Sequence, residues 1–278
     1  MLAVSTPSLI HDRLELKFRV SQQHAANFSR DVAAHLSEHR FAGKGSNPLP
    51  RARHYVTTVY FDTAQRDLYR AVRQDENNLK IRAREYYDLH PELLELATSS
   101  GDIVRYSPVL WIELKGKQSG RTYKRRIGIP KGDVVDFFEH GRVSSAMREI
   151  QSRQRSAPAD DLIAELLGLR QRYAEPLKPS CLVNYRRTAF QNAEGTLRIT
   201  LDQRLACFAA QPDLLSQKRP LLRDYLGAPR YEESDYILEL KALEQPPEWL
   251  DQLLAQCGAA RSTLSKFVIA SEAVHGKP

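Results

Sequence analysis

The chain has 278 residues, 42% of them hydrophobic, so it can bury a substantial core and is expected to be globular. Its 41 Lys and Arg residues outnumber its 34 Asp and Glu residues, and the net charge of +7 favours a polyanionic partner: nucleic acid, an acidic membrane or polyphosphate. The three cysteines are widely spaced, and no secretory leader or run of roughly 18 apolar residues occurs, which argues against a disulfide framework, a thiolate zinc site and a membrane span and favours a cytoplasmic location.

Period-two alternation of apolar and charged residues in short segments predicts β-strands. The clearest example is 13–20, where Glu15, Lys17 and Arg19 share one face of the strand and apolar residues occupy the other. In chain order, the eight predicted strands cover residues 13–20, 54–62, 79–86, 110–117, 122–129, 180–190, 196–203 and 235–242.

Apolar residues at helical spacing between these strands predict five helices. They cover residues 21–39, 133–150, 159–173, 247–256 and 262–273. No shift of composition requires two units, so residues 1–278 are expected to form a single domain with its core at about 13–270.

The letters Glu-Leu-Lys occur three times inside strand patterns, at 15–17, 113–115 and 239–241. In a strand, the Glu and the Lys of this triplet lie on one face, about 7 Å apart. A carboxylate in that position could hold a metal ion while the neighbouring ammonium contacts a phosphate that the metal bridges.

A sheet with one charged face ordinarily turns that face to water. Two features favour an enclosed face instead: cations two residues apart, such as Arg82 and Arg84, repel one another without an anion between them, and the amphipathic helices need an apolar surface to cover. The predicted fold is therefore α+β, a closed eight-stranded antiparallel β-barrel with helices packed outside. Its interior would suit a slender chain of phosphates, with Mg²⁺ or Mn²⁺ held by acidic residues.

Other motifs are absent or weak. No P-loop, dinucleotide-binding G-x-G-x-x-G or G-x-S-x-G elbow occurs. His35 and His39 lack a third ligand, so a solvated helix face is predicted there. Trp111 and Tyr60 are interpreted as packing residues.

The chain resembles the catalytic domain of the VTC (vacuolar transporter chaperone) family, within the triphosphate tunnel metalloenzyme (CYTH-like) superfamily. The segments that carry the resemblance, over nearly the whole chain, are LELKF at 14–18, VYFD at 59–62, KIRAREY at 80–86, IELK at 112–115, YRRTAF at 185–190, RITLD at 198–202, LELK at 238–241 and SKF at 265–267. The resemblance implies an eight-stranded tunnel that makes inorganic polyphosphate from ATP.

The resemblance also implies roles for individual residues. It assigns phosphate binding to Lys17, Arg82, Arg84, Lys115, Lys124, Tyr185, Arg187 and Lys266. Of these, Arg82, Arg84, Lys115 and Lys266 are expected to be catalytic, and the strand alternation adds Lys80, Arg126, Arg198 and Lys241 as phosphate ligands. The metal, Mn²⁺ or Mg²⁺, would be held by Glu239, with Glu113 and Glu15 as further ligands.

The chain departs from the family pattern in places. Arg13 stands where superfamily members often have the first Glu of Glu-x-Glu-x-Lys, and Arg186 stands where Asn is expected. The chain lacks the N-terminal regulatory domain and membrane helices of eukaryotic members, so the resemblance does not imply inositol-phosphate control or coupled membrane translocation, although a separate membrane-protein partner could supply translocation.

Alternatives to polymerase activity stay open. The same grip on phosphate could serve a metal-dependent tripolyphosphatase or nucleoside triphosphatase, or a non-catalytic polyphosphate-binding module. ATP, triphosphate and polyphosphate are the expected ligands. Specific nucleic-acid binding is disfavoured because few stacking aromatics accompany the cations. The sequence does not predict an oligomeric state.

Overall fold

The protein is described here by a computed structural model covering residues 14–38, 53–76, 78–86, 94–97, 103–106, 109–118, 121–153, 159–215 and 221–277. Its strands are β1 (Leu14–Val20), β2 (Ser37–Glu38), β3 (Arg53–Asp62), β4 (Lys80–Tyr86), β5 (Leu94–Ala97), β6 (Ile103–Tyr106), β7 (Val109–Gln118), β8 (Arg121–Pro130), β9 (Lys178–Gln191), β10 (Leu197–Ala209), β11 (Tyr231–Glu232), β12 (Tyr236–Ala242) and β13 (Ala260–Arg261). Its helices are α1 (Gln22–Ala33), α2 (Asp67–Arg73), α3 (Val134–His140), α4 (Ser145–Arg153), α5 (Ala159–Arg172), α6 (Glu248–Gln256) and α7 (Lys266–His275).

One large antiparallel sheet dominates this α+β fold. Its strand order is β13-β1-β12-β10-β9-β3-β4-β7-β8, with β11 and β2 paired to the outer parts of β10 and β9. The strands β5 and β6 form a separate hairpin. All eight predicted strands are present, most of them with ends within two residues of the prediction, although β10 continues past a bulge to Ala209.

The prediction of a closed eight-stranded barrel is wrong in two respects. The sheet has eleven strands, because the two-residue strands β2, β11 and β13 pair with the long ones. It is also open: β13 occupies the outer edge of β1 at Phe18 and Arg19, and β8 forms the other end of the described strand order. These short pairings carry almost no periodic signal, so the alternation pattern could not reveal them.

The open sheet nevertheless curls strongly. Six steps separate β1 from β7 in the strand order, which in a flat sheet would place them about 29 Å apart. Lys115 Nζ on β7 instead lies 3.8 Å from Glu15 Oε2 on β1. The curl therefore produces one concave face and one convex face.

The convex face is apolar and is covered by helices. Leu201 and Leu240 pack with Phe28 of α1 and Leu250 of α6 in one cluster of buried residues. A second cluster joins the apolar side chains of β3, β4, β7, β8 and β9 to α3, α4 and α5. The burial of this hydrocarbon outside the curl is the main force that holds the charged side of the strands inward.

The helix α7 is the exception, because it packs against the concave side of β9 and β10. Phe267 at its start lies 5.0 Å, between ring centroids, from Tyr60 on the concave side of β3. Its other end is tied to α2, where Tyr69 donates a hydrogen bond to Glu272 and Arg66 donates one to Ser271. The position of Lys266 is therefore set by packing at both ends of the helix.

Several details of the helices differ from the prediction. The helix predicted over 21–39 ends at Ala33, and Ser37–Glu38 form the strand β2 instead. The helix predicted over 262–273 begins four residues later, at Lys266. The helix predicted over 133–150 is two helices, α3 and α4, because Gly141 adopts a left-handed conformation (φ 69°) that ends α3. The seven-residue helix α2 was not predicted, since it is too short to show a helical period. Among the helices that the structure describes, none is both long and apolar enough to cross a membrane.

Candidate functional site

Charged side chains cover the concave face of the sheet, as the strand registers require. Arg82 is opposite Glu113, Lys80 is opposite Lys115, and Lys17 is opposite Glu239. We call this surface the charged concave face. Its charged residues are Glu15, Lys17, Arg19, Lys80, Arg82, Arg84, Glu113, Lys115, Lys117, Lys124, Arg126, Arg187, Arg198, Asp202, Glu239 and Lys241.

Glu113 is the centre of one buried ionic cluster. The carboxylate is 0% exposed and accepts hydrogen bonds from Arg82, with Nε at 2.8 Å and Nη2 at 2.7 Å from Oε2. Lys124 Nζ lies 2.7 Å from Oε1, and Arg84 Nη1 lies 3.5 Å from Oε2. Burial alone would raise the pKa of Glu113, but the charges of Arg84, Arg82 and Lys124 hold that pKa well below its ordinary value. The carboxylate is thus ionised and fixes three cations in place.

Asp202 is the centre of a second cluster. It is 0% exposed and receives both Arg187 Nε at 2.6 Å and Arg187 Nη2 at 2.7 Å. Lys266 Nζ of α7 lies 2.8 Å from the same carboxylate. The Tyr185 ring is 5.1 Å from both the Arg187 guanidinium and the Lys266 ammonium, so its π face adds to the neutralisation of these cations.

A third group lies on the neighbouring strands β1 and β12. Lys241 Nζ lies 3.1 Å from Glu239 Oε1 and 3.6 Å from Glu15 Oε1. Although burial would raise the pKa of Glu239, the charges of Lys241 and Arg187 keep it well below its ordinary value. The Glu239 carboxylate is therefore an ionised acceptor beside Lys241.

Beside this group, the lysines outnumber the carboxylates, and Lys80 is the clearest case. Burial, together with the charges of Lys115 and Lys17, lowers the pKa of Lys80 to about 8. Lys80 Nζ donates a hydrogen bond to Asn78, and no carboxylate lies within ion-pair distance of it among the residues described. A cation in this position gains free energy when an anion binds beside it.

Several buried polar atoms on the charged concave face have no hydrogen-bond partner within the described chain. They are Arg84 Nε, Thr58 Oγ1, Tyr185 OH and Thr200 Oγ1. Buried donors without partners cost free energy, about 1–3 kcal/mol each. Their common direction into the curl points to a ligand rich in acceptor oxygens.

The structure brings most of the predicted site residues together. The predicted phosphate ligands Lys17, Lys80, Arg82, Arg84, Lys115, Lys124, Arg126, Tyr185, Arg187, Arg198 and Lys241 lie on concave-side strand positions, and Lys266 reaches the same space from α7. Arg126 is more exposed than the others, and its guanidinium lies over the Trp111 ring. Arg13, in the first predicted strand, and His39 lie outside the described residues.

The three predicted metal ligands do not form one group. Glu15 and Glu239 flank Lys241, whereas Glu113 is enclosed by its own three cations. Within the part of the chain that the structure describes, no three acidic, His or Cys side chains are placed to bind a metal by themselves. Any metal here would need ligands from the substrate as well.

The strand pattern places Asp202 on one face with Thr200 and Arg198, but only the fold shows that it orients both Arg187 and Lys266. The packing role expected for Trp111 stays a prediction; the indole shares a face with Glu113 and is partly buried. For Asp202 the strand period gave the face, and its two partners come from other elements.

Comparisons with known proteins support a family but no closer relative. No curated protein matches the chain. Similar solved structures include the PH1819 protein from Pyrococcus horikoshii OT3, with 13% identity, 93% of this chain and 96% of that chain covered, and a TM-score of 0.42. A candidate adenylate cyclase from Vibrio parahaemolyticus has 15% identity, 95% and 99% coverage and a TM-score of 0.40. These likenesses are too distant to support an inference about function.

The family model gives the stronger result. The model described as the VTC domain matches residues 12–275, which is nearly the entire chain and includes every strand of the charged concave face. The chain therefore belongs to the VTC domain family.

Proposed function

We propose that the protein is a phosphotransferase of the polyphosphate polymerase type, which transfers the γ-phosphate of ATP to a growing polyphosphate chain. The observation that carries the proposal is the excess of buried cations and partnerless polar atoms on the charged concave face. Placing this many partly buried cations on one concave face is costly unless an anion compensates them. An extended polyphosphate supplies negative charge and acceptor oxygens along the whole face.

The two ionic clusters support roles for individual side chains. Glu113 holds Arg82 and Arg84 side by side, so their remaining N–H groups can grip one phosphate without rearrangement. Asp202 does the same for Arg187 and Lys266. Such preorganised cations stabilise the charge that spreads over the phosphoryl oxygens in the transition state.

The donor set also fits a divalent metal. Mg²⁺ is commonly bound by one or two carboxylates together with substrate phosphates. Glu239, with Glu15 on the neighbouring strand, would hold the ion, and we do not assign Glu113 to it because three cations already use its oxygens. When bound, the metal would neutralise phosphate charge and orient the triphosphate.

The transfer itself requires no covalent help from the protein. An oxygen of the terminal phosphate of the chain attacks the γ-phosphorus of ATP, and the bond from that phosphorus to the β–γ bridging oxygen breaks. ADP leaves with the electron pair, and the chain is longer by one phosphate. Arg82, Arg84, Lys115 and Lys266 are the residues that we assign to stabilising this step.

The test is incubation of the protein with ATP and Mn²⁺ or Mg²⁺, with and without a short polyphosphate primer, and separation of the products by gel electrophoresis. Long polyphosphate is expected, and Arg82→Ala should lower its yield at least a hundredfold, as loss of one oxyanion-stabilising donor typically does. Arg125→Ala, on the opposite face of β8, is the matched control and should leave the yield unchanged.

Other outcomes would refute the polymerase. Release of free phosphate without chain growth would identify a triphosphatase. Binding of tripolyphosphate without any turnover would identify a binding module.

A further inference from the structure

An aromatic side chain, Trp111, lies beside the cationic cluster around Glu113 on the charged concave face. Trp111 precedes Glu113 by two residues on β7, so both side chains point to the same side. Its cross-strand neighbours are Arg84 on β4 and Gly128 on β8. The indole is partly exposed and lies next to the proposed phosphate grip.

The described neighbours of the indole on β8 are a glycine and an arginine. Gly128, directly opposite Trp111, has no side chain. The guanidinium of Arg126 lies over the ring, with its Cζ 4.7 Å from the centroid. Arg126 is exposed and has no carboxylate within ion-pair distance among the described residues, so its charge is available to a ligand that stacks beside it.

The spacing suits a nucleotide. Two residues along a strand separate Trp111 from Glu113 by about 7 Å, a distance on the scale of the ribose between a base and its phosphates. The part of the face around Lys80 and Lys117 carries cations on the neighbouring strands β4 and β7. Among its described concave positions there is no aromatic side chain. The two parts of the face therefore differ: one suits a base, the other only phosphate.

We propose that Trp111 and Arg126 form a stacking subsite for the base of a nucleoside triphosphate, whose phosphates lie at the Arg82, Arg84 and Lys124 cluster. This inference rests on the proposed function and adds to it a discrimination between ATP and inorganic triphosphate. Stacking accepts any base, because every base presents a π face. It favours purines, because their rings offer a larger area of contact. Trp111 is thus assigned as a ligand contact, in place of the packing role expected from the sequence.

Fluorescence gives the first test. The chain has two tryptophans, Trp111 and Trp249, and Trp249 stacks on His35 between α1 and α6, on the convex side. In a Trp249→Phe variant, all tryptophan emission comes from Trp111. A non-hydrolysable ATP analogue should quench or shift this emission strongly, and tripolyphosphate at equal saturation should change it little. Equal responses to the two ligands would overturn the proposal.

Calorimetry gives the second test. Trp111→Ala should weaken binding of the ATP analogue about ten- to a hundredfold and leave the affinity for tripolyphosphate within about twofold. Trp111→Phe should recover most of the loss, and Arg126→Ala should show a smaller loss with the same selectivity. An equal loss for both ligands would show that Trp111 only supports the fold, and unchanged ATP affinity would exclude the subsite.

The two tests also separate this inference from the proposed function. If the wild-type protein binds neither ligand, the phosphate grip itself is wrong and the subsite is refuted with it. If the wild-type protein binds tripolyphosphate as tightly as the ATP analogue, the phosphate grip survives and the base subsite is refuted alone.

Discussion

Replacing Glu113 by Gln tests whether the buried ionic cluster organises the charged concave face. The substitution keeps the shape of the side chain and removes its charge. Arg82, Arg84 and Lys124, which lie 2.7 to 3.5 Å from the carboxylate, would then face one another without their common anion. Because Glu113 is 0% exposed, water cannot replace the lost partner.

The expected magnitude follows from this burial. Removing one partner of a buried ion pair costs about 3–5 kcal/mol of the free energy of unfolding. For a chain of this size, each kcal/mol lowers the unfolding midpoint by about 2–4 °C, so a fall of about 6–20 °C is expected. Tripolyphosphate, which would bring negative charge to the same three cations, should raise the midpoint of the variant by more than that of the wild type.

Thermal unfolding followed by circular dichroism, with and without tripolyphosphate, measures both effects. The matched control is Glu165→Gln, which removes a carboxylate from a partly exposed ion pair with Arg125 on the outer face of β8. That change should cost less than about 1 kcal/mol. An E113Q protein as stable as the wild type in the absence of ligand would refute the arrangement, because the cations could not then depend on Glu113.

Three further predictions concern other charged groups. Since the pKa of Lys80 is lowered to about 8, tripolyphosphate binding at pH 8.5 should take up about 0.7 proton more in the wild type than in Lys80→Arg. The affinity of the wild type for tripolyphosphate should also fall more steeply than that of the variant as the pH rises above 8. Calorimetry in buffers of different ionisation enthalpy measures the proton uptake, and equal uptake by the two proteins would contradict the prediction. Asp202→Asn should lower the free energy of unfolding by about 3–5 kcal/mol. It should also lower the pKa of Lys266, because burial lowers that pKa and the charge of Asp202 raises it in the wild type. Denaturant unfolding measures the first effect and the pH dependence of tripolyphosphate binding the second; unchanged stability would show that Asp202 does not hold Lys266. Lys131→Met should lower the free energy of unfolding by a similar amount, because it removes the ammonium that lies 3.3 Å from the buried Glu85 carboxylate. Its affinity for tripolyphosphate should stay unchanged, since Glu85 lies on the convex face. A weakened affinity would mean that the two faces are coupled.

The strand period predicted which side chains share a face, but it could not predict how the sheet ends. Leu79 to Tyr86 shows the success: Lys80, Arg82 and Arg84 all lie on the concave side, as their spacing required. Closure depends instead on backbone pairing at two distant edges, and the pairing of β13 with β1 involves only two residues. A pattern of side chains contains no information about so short a contact.

The site shows the same division between local and distant causes. Arg82 and Glu113 are neighbours on paired strands, so their ion pair follows from strand faces and register. Lys266 reaches Asp202 only because α7 packs into the concave side of the sheet. Its role could be expected from the family resemblance, whereas its partner could not, because 64 residues separate the two in the chain.

The carboxylates of the charged concave face explain how so many cations can be held there before any phosphate binds. Each of Glu113, Asp202 and Glu239 is ionised and paired with at least two cations, which offsets part of the free energy of burying them. The cations still exceed the carboxylates, so the face stays positive and its remaining N–H groups stay available. Asp202 and Glu239 share Arg187, and Glu15 contacts both Lys241 and Lys115, so the clusters form one continuous charged surface across several strands. An extended polyanion can contact all three at once, and each contact after the first adds affinity without a new cost of association. The continuity of this charged surface across several strands, rather than the total charge, is therefore what favours a chain of phosphates over isolated phosphate.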